Sequence, residues 1–348
     1  MSTPDIPPGV VGDRPSRPDP ELLRRGHDEV SHRLGHEPGP WQLVGRCTRP
    51  RSTLFVLRCR HAEGVIDAVA KIDYLQSAEE DAPRHETLRR VQRRRRELTR
   101  ERELAPQLID IVQARHLTLK IDEPLAIAPD RLSALRLMVP GKNLDRLAKV
   151  IARAGIRQAI DAFHVLGQFI SLMEGVGERG DHPDQRVRRS QFERLDRSVQ
   201  RLRSVGTFPD PDGLRQRAMV LLHRELSKSD SVVLTHGDLS PSNILLRKNS
   251  LGVIDFGWTH RIRGHDLAHL LARVEVERPQ LPGLAASARR ALLDGYGQRH
   301  ADDRSLELAY LDRASSAAVK LGGARGRRAR WRLHRVCEAI MDDRPFLR

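Results

Sequence analysis

Asp238, Asn243 and Asp255 are the residues whose types and spacing suggest chemistry. They hang on the ends of three short apolar runs, Val232 to Thr235, Ile244 to Leu246 and Leu251 to Ile254, the last two joined by the polar turn Lys248, Asn249, Ser250. Apolar runs bounded by turn residues predict strands, and the polar turn predicts a hairpin. A hairpin returns the chain to where it started, so two carboxylates and an amide placed in this way can converge on one point. That point suits phosphoryl transfer, which needs a carboxylate to orient an attacking hydroxyl and take its proton, and hard oxygen ligands for Mg2+ on the phosphates. Asp238 is the candidate base; Asn243 and Asp255 are the candidate metal ligands. Each fragment alone also reads as an ordinary turn or cap, and it is their order and spacing that favour the catalytic reading.

The stretch HGDLSPSN from His236, followed by VIDFGW from Val253, resembles the catalytic and metal loops of the aminoglycoside phosphotransferase and choline kinase group, relatives of the protein kinases. The resemblance is carried by Val232 to Leu271 and extends over residues 41 to 231. It implies an α+β, bilobal, protein-kinase-like fold with a small antiparallel-sheet N-lobe and a larger, mainly helical C-lobe. It also implies a kinase that uses ATP and Mg2+ to phosphorylate a small-molecule hydroxyl. Lys71 stands near the end of a predicted strand in a chain that otherwise prefers arginine, a place where a compact ammonium suits better than a planar fork. The resemblance implies that Lys71 holds the α and β phosphates, steadied by Glu86 on the next helix, with Glu79 and Glu80 as alternatives. It further implies that adenine lies against the backbone of Met138 and Val139, residues that read equally as a strand running into a Pro-Gly turn.

Two departures from protein kinases bear on the acceptor. Gly237 occupies the place where protein kinases generally carry the arginine that reads a phosphorylated activation loop. Only ten residues separate Asp255 from Asp266, too few for a peptide-binding activation segment. Both point to a small molecule. His236 is expected to orient the loop, and Asp266 to cap the helix Asp266 to Val274 and brace the catalytic loop. Trp258, His260, Arg261, Arg263 and His265 follow Asp255 closely; lining the cleft, they would favour a neutral or anionic acceptor such as a sugar, sugar phosphate or glycan precursor over a polycationic aminoglycoside.

The 348 residues suffice for two lobes sharing a cleft, and no apolar run approaches the length of a membrane span. The first residues show no apolar signal region, so a cytoplasmic protein is expected. Cys47, Cys59 and Cys337 are widely spaced and predict reduced thiols. The net charge of +15 raises the alternative of a basic nucleic-acid-binding module, but only seven of the 61 basic residues are lysines, and aromatics make up 4%. An arginine-biased composition with little material for base stacking does not call for specific nucleic-acid binding.

In chain order, the proline-rich residues 1 to 20 predict a disordered tail. Residues 21 to 140 are expected to form the N-lobe and 141 to 348 the C-lobe. Within the N-lobe the pattern predicts a helix over Glu21 to Leu34, then strands over Trp41 to Val44, Leu54 to Cys59 and Val65 to Ile72. A helix follows from Ala82 or Arg84 to Glu103, then strands over Ala105 to Val112, His116 to Ile121 and Leu135 to Gly141. The connection Gly45 to Thr53 sits where kinase-like folds cover phosphate, yet it lacks the glycine spacing, and Pro50 removes a donor. Arg46, Arg49 and Arg51 could supply charge instead, or the connection is a solvated hairpin loop; a pseudokinase or scaffold that binds nucleotide without transfer therefore stays open. Helices are predicted over Leu144 to Ala154, Ile156 to Met173, Gln191 to Leu202, Leu214 to Leu226, Ala285 to Tyr296 and Leu306 to Met341, the last broken at glycines 322, 323 and 326, with a loop over Gly175 to Asp184.

Overall fold

The computed structural model describes residues 15–49, 51–73, 84–144, 156–176, 185–228, 231–247, 250–277, 282–297 and 304–346. The bulk of the expected tail, Pro50, Glu79, Glu80, Pro83, nearly all of the helix expected over Leu144 to Ala154, most of the loop after Gly175, and the turn residues Lys248 and Asn249 lie outside them. The chain divides into one unit of residues 1–111 and 121–139 and a second of 112–120 and 140–348.

The first unit is built on an antiparallel sheet in the order β1-β2-β3-β6-β5, from β1 (Gln42–Thr48), β2 (Ser52–His61), β3 (Gly64–Asp73), β5 (Pro124–Ala128) and β6 (Ser133–Leu137). Strand periodicity assigns its faces. Phe55, Leu57, Ala68, Ala70 and Leu135 meet Leu22 and Val30 of α1 (Pro20–Leu34) on one side. Helix α1 begins with Asp19 accepting the Glu21 N–H and stops at Gly35 in the left-handed conformation, the usual chemistry of an N-cap and a C-cap.

The opposite face carries α2 (Arg84–Ala114), whose Leu98 packs with Ile127 and Ala134. Two ion pairs fix that helix to the sheet: Arg94 to Asp73 at 2.6 Å, and the buried Arg136 to both oxygens of Glu101 at 2.5 and 2.7 Å.

Three expectations fail in this unit. Ala105 to Val112 is helix, not strand: Ala105, Leu108 and Val112 are buried at helical intervals, and Pro106 lies inside the helix on its exposed side. The fifth strand is Pro124–Ala128, which the sequence did not suggest. The connection over Gly45 to Thr53 is shorter than expected, since β1 runs on to Thr48 and Arg49 N–H donates to Ser52 O to close the turn.

The second unit is mainly helical. Its helices are α3 (Ile156–Val176), α4 (Gln185–Val205), α5 (Pro211–Leu226), α6 (His265–Ala272), α7 (Pro282–Tyr296), α8 (Ser305–Lys320) and α9 (Gly323–Met341). Helices α3 and α7 touch backbone to backbone at Gly167 and Gly295, where a Cβ on either would run into the carbonyl of Leu292 or His164. Helix α8 packs against α4, α6 and α9. The break before α9 falls at Leu321 and Gly322, whereas Gly326, expected to break the helix, is buried within it.

Two small antiparallel sheets interrupt the helices. One has the order β4-β10-β9-β7, from β4 (Leu119–Ile121), β7 (Lys142–Asn143), β9 (Ile244–Arg247) and β10 (Ser250–Val253). The other pairs β8 (Val232–Thr235) with β11 (Thr259–Ile262). No helix among the described residues is long and apolar enough to cross a membrane.

The Arg136–Glu101 pair gives a direct test of what anchors α2. Glu101→Ala removes both short contacts of a buried guanidinium, whose other carboxylate, Asp122, lies at 3.7 Å, and is expected to cost about 3 kcal/mol. Urea denaturation measures this, and Glu101→Leu combined with Arg136→Met should recover most of the loss.

Candidate active site

Strand β8 delivers His236, Gly237 and Asp238 into a loop held by its neighbours. His236 is fully buried and neutral: desolvation pushes its imidazole down to about 4, against the Ile254 carbonyl and the nearby charge of Asp255. Its Nδ1 accepts the Asp238 N–H at 3.3 Å, and its Nε2 lies 3.0 Å from Ile254 O. A neutral ring with Nδ1 accepting must carry its proton on Nε2, which therefore donates to Ile254.

Asp266, in the first turn of α6, accepts the N–H of His236 at 2.6 Å and of Gly237 at 3.1 Å. Burial pushes its carboxyl up to about 7, although both N–H bonds favour the anion. The expected bracing by Asp266 is present; the expected cap is not, since the N-cap position is Gly264, whose N–H donates instead to Glu174 of α3. Gly237 has φ +85°, and a Cβ there would strike Thr259 Oγ1 of β11. Only glycine meets both conditions.

The second loop is laced to the first. Asn243 closes a short 3-10 turn, Pro241–Asn243, with its N–H on Ser240 O, and its side-chain amide donates to Asp238 O at 2.9 Å. Ile254 N–H donates to Asn243 O, and Gly257 N–H to His236 O. Between these bonds Asp255 takes a left-handed backbone with φ +64°, and Trp258 does the same with φ +44°. Aspartate tolerates this region; a tryptophan there is strained and must be held by its surroundings. The surroundings are aromatic: Phe256 stacks on Trp258 at 4.9 Å and lies 4.4 Å from the His236 ring.

The three sequence-predicted residues of this unit are thus brought together. Asp238 is exposed at the loop surface, yet partial desolvation, foremost, raises its carboxyl above the ordinary range; Asp255 also raises it, while Arg273, Arg313 and the Asn243 amide pull it back. Asp255 acts electrostatically on both Asp238 and His236. Among the described residues no group of three or more His, Cys, Asp or Glu side chains is arranged to cage a metal. That is compatible with magnesium, which is held by one or two protein oxygens plus phosphates and water. The Asn243 Oδ1 and the Asp255 carboxylate are the candidate oxygens for such a site.

The remaining predicted residues lie in the first unit. Lys71 is half-buried on β3, paired across the sheet with Ala134, on the same face as Asp73 and therefore on the α2 side. Glu86 is exposed in the first turn of α2 and holds Arg90 at 2.8 Å. Met138 donates its N–H to Asp67 O, and Val139 is the last residue of the unit. The buried carboxylate that α2 gives to the sheet is Glu101, which the sequence reading missed; an arginine inside the apolar strand LRL was the available signal.

The residues expected to charge the acceptor pocket are largely elsewhere. Trp258, Arg263 and His265 are buried, and Arg263 lies 3.8 Å from Glu174. His260 and Arg261 are half-buried on β11.

No curated protein matches the chain. Among solved structures it is similar to an amicoumacin kinase in complex with AMP-PNP, Ca2+ and its ligand (14% identity, 94% of this chain and 96% of that one, TM-score 0.44). It is likewise similar to choline kinase from Cryptosporidium parvum (12%, 87% and 87%, TM-score 0.46) and to macrolide 2'-phosphotransferase from Brachybacterium faecium (18%, 94% and 99%, TM-score 0.40). The family described as "Phosphotransferase enzyme family" matches residues 67–307, well over half of the sequence, and the chain belongs to that family.

Proposed function

We propose that this phosphotransferase moves the γ-phosphoryl group of ATP, with Mg2+, onto the hydroxyl of a small molecule such as a sugar, sugar phosphate or glycan precursor. The observation that carries the reading is the lacing of the two loops, which sets Asp238 beside Asn243 and within the field of Asp255. Asp238 orients the acceptor hydroxyl and takes its proton as the new O–P bond forms and the bond to ADP breaks. Magnesium, when bound, neutralises charge on the phosphates. Asn243 Oδ1 and the Asp255 carboxylate are its protein ligands. Lys71 holds phosphate, Glu86 is its expected partner, and the backbone of Met138 and Val139 meets the base. The Met138 N–H is already donated to Asp67, so in this reading the remaining backbone groups of the pair do that work.

The short β1–β2 turn favours one second reading, a protein that binds nucleotide but transfers poorly, since little backbone is available there to cover phosphate.

Asp238→Asn should lower turnover by roughly 10²- to 10⁴-fold, on the order of 3 to 5 kcal/mol of barrier, with nucleotide binding retained. Turnover equal to wild type in the purified variant rules out the base assignment, and absence of transfer by the wild-type protein selects the second reading. Asp255→Ala should remove Mg2+-dependent nucleotide binding, seen as loss of the thermal shift with ATP plus Mg2+. A base must be deprotonated to act, and the Asp238 carboxyl is raised. The acid limb of kcat/KM should therefore sit above the ordinary aspartate range, with activity falling as pH drops through it.

A further inference from the structure

The second unit holds a cavity of about 400 Å3 lined by Arg289, Arg332, Arg335 and Arg344 together with Trp331 and Phe346. Arg289 comes from α7, Trp331, Arg332 and Arg335 from α9, and Arg344 and Phe346 from the segment that follows α9. Among the described residues no acid lines it, and none of the lining residues belongs to the loops that carry Asp238, Asn243 and Asp255. The volume falls within the roughly 300 to 1,000 Å3 of small-molecule pockets.

The walls are fixed by contacts of their own. Asp343 meets Arg304 at 2.7 Å and Arg217 at 2.8 Å, the Phe346 N–H donates to Glu307 at 3.0 Å, and the Phe346 carbonyl accepts from Arg289 at 2.7 Å. Glu275, buried in the π-helical turn Arg273–Glu277 and not part of the lining, accepts the Tyr310 hydroxyl at 2.8 Å. It lies 3.5 Å from Arg289 and 3.6 Å from Arg332, so one buried carboxylate steadies two of the four guanidiniums.

These contacts leave most of the donors unspent. A guanidinium has five N–H groups. Among the described residues Arg289 gives two of its own, to Glu275 and the Phe346 carbonyl; Arg335 gives one to Glu338 at 3.1 Å, and Arg344 one to Asp342 at 2.9 Å. Arg332 Nε is buried with no hydrogen-bond partner. Four cations therefore stand against three carboxylates, Glu275, Glu338 and Asp342, which leaves a positive excess. Trp331 adds a flat apolar surface: it is 54% exposed even with the Arg332 guanidinium 4.9 Å over its ring.

We propose that this cavity is a second ligand site, which takes a soluble phosphate monoester carrying a planar ring. The phosphate, with oxygens enough for more than one partner, meets the guanidinium forks, and the ring packs on Trp331. Exposure grades the arginines: the side chains of Arg289 and Arg332, at 19% and 21%, form the floor, and those of Arg335 and Arg344, at 45% and 44%, form the rim. The site stands independently of the phosphotransfer reading.

Calorimetric titration of the full chain with phenyl phosphate, inorganic phosphate, benzoate, phenol and benzylamine tests this. Phenyl phosphate should bind about 10-fold or more tightly than any of the others, and more weakly as salt is added. Trp331→Ala and Arg335→Gln, both at exposed positions, should each weaken it about 10-fold. Trp331→Phe and Arg335→Lys should recover part of the loss, and Asp255→Ala should leave the affinity unchanged. Circular-dichroism melts identify any variant that fails to fold, and the Phe and Lys variants then decide. Phenyl phosphate binding no better than one of the other probes, unchanged affinity in the folded variants, or loss of binding in Asp255→Ala overturns the proposal. So does capture of the chain by vesicles of phosphatidylcholine and phosphatidate without binding of phenyl phosphate, which would make the phosphate a lipid headgroup.

Discussion

The carboxylate of Asp266 accepts the backbone N–H groups of two consecutive residues, His236 and Gly237, and the candidate site depends on that pair of bonds. A buried carboxylate is expensive unless its oxygens are satisfied, and here each oxygen has a backbone donor in a loop that would otherwise have nowhere to send them. The geometry then propagates. With its N–H on Asp266 and its Nδ1 accepting from Asp238, the His236 ring can only donate from Nε2 to Ile254, which ties the second loop to the first. Gly257 closes the circuit on His236 O. The loops are positioned by bonds among themselves and with α6, and the exposed carboxylate of Asp238 is left at the surface of a fixed frame.

Helix α6 is held in turn from behind. Glu174, on the last turn of α3, accepts the Gly264 N–H at 2.7 Å and the Tyr296 hydroxyl at 2.6 Å, with Arg263 close by. Burial pushes this carboxyl up to about 8, against three groups that favour its anion. Tyr296 lies on α7, the helix whose Gly295 meets α3 backbone to backbone. The entry to α6, and with it the position of Asp266, is thus set by a polar knot in the middle of an apolar bundle. A knot of that kind specifies a single arrangement only when every member is satisfied.

Much of this was legible in the sequence. The paired apolar runs around Lys248 and Ser250 predicted the hairpin, and the hairpin predicted that Asp238, Asn243 and Asp255 would converge. The bracing role of Asp266 followed from its place at the start of a helix. What was not legible depended on partners remote in sequence. Arg263 looks like a surface cation from its neighbours alone; it is buried 3.8 Å from the carboxylate of Glu174, about ninety residues earlier. Glu101 could not be told from the other acids of α2 without knowing that Arg136 faces it. Ala105 to Val112 misled because its β-favouring residues and a proline, which ordinarily breaks a helix, outweigh the helical spacing of its buried positions.

The backbone at Gly237 has one more consequence. A positive φ and the hydroxyl of Thr259 pressing on the missing Cβ leave no steric room for a longer residue. A covalent on-off control that works by docking a phosphorylated segment onto a side chain at this position has no seat in this loop. Turning such control on would require rebuilding the β8–β11 ribbon as well as changing one codon.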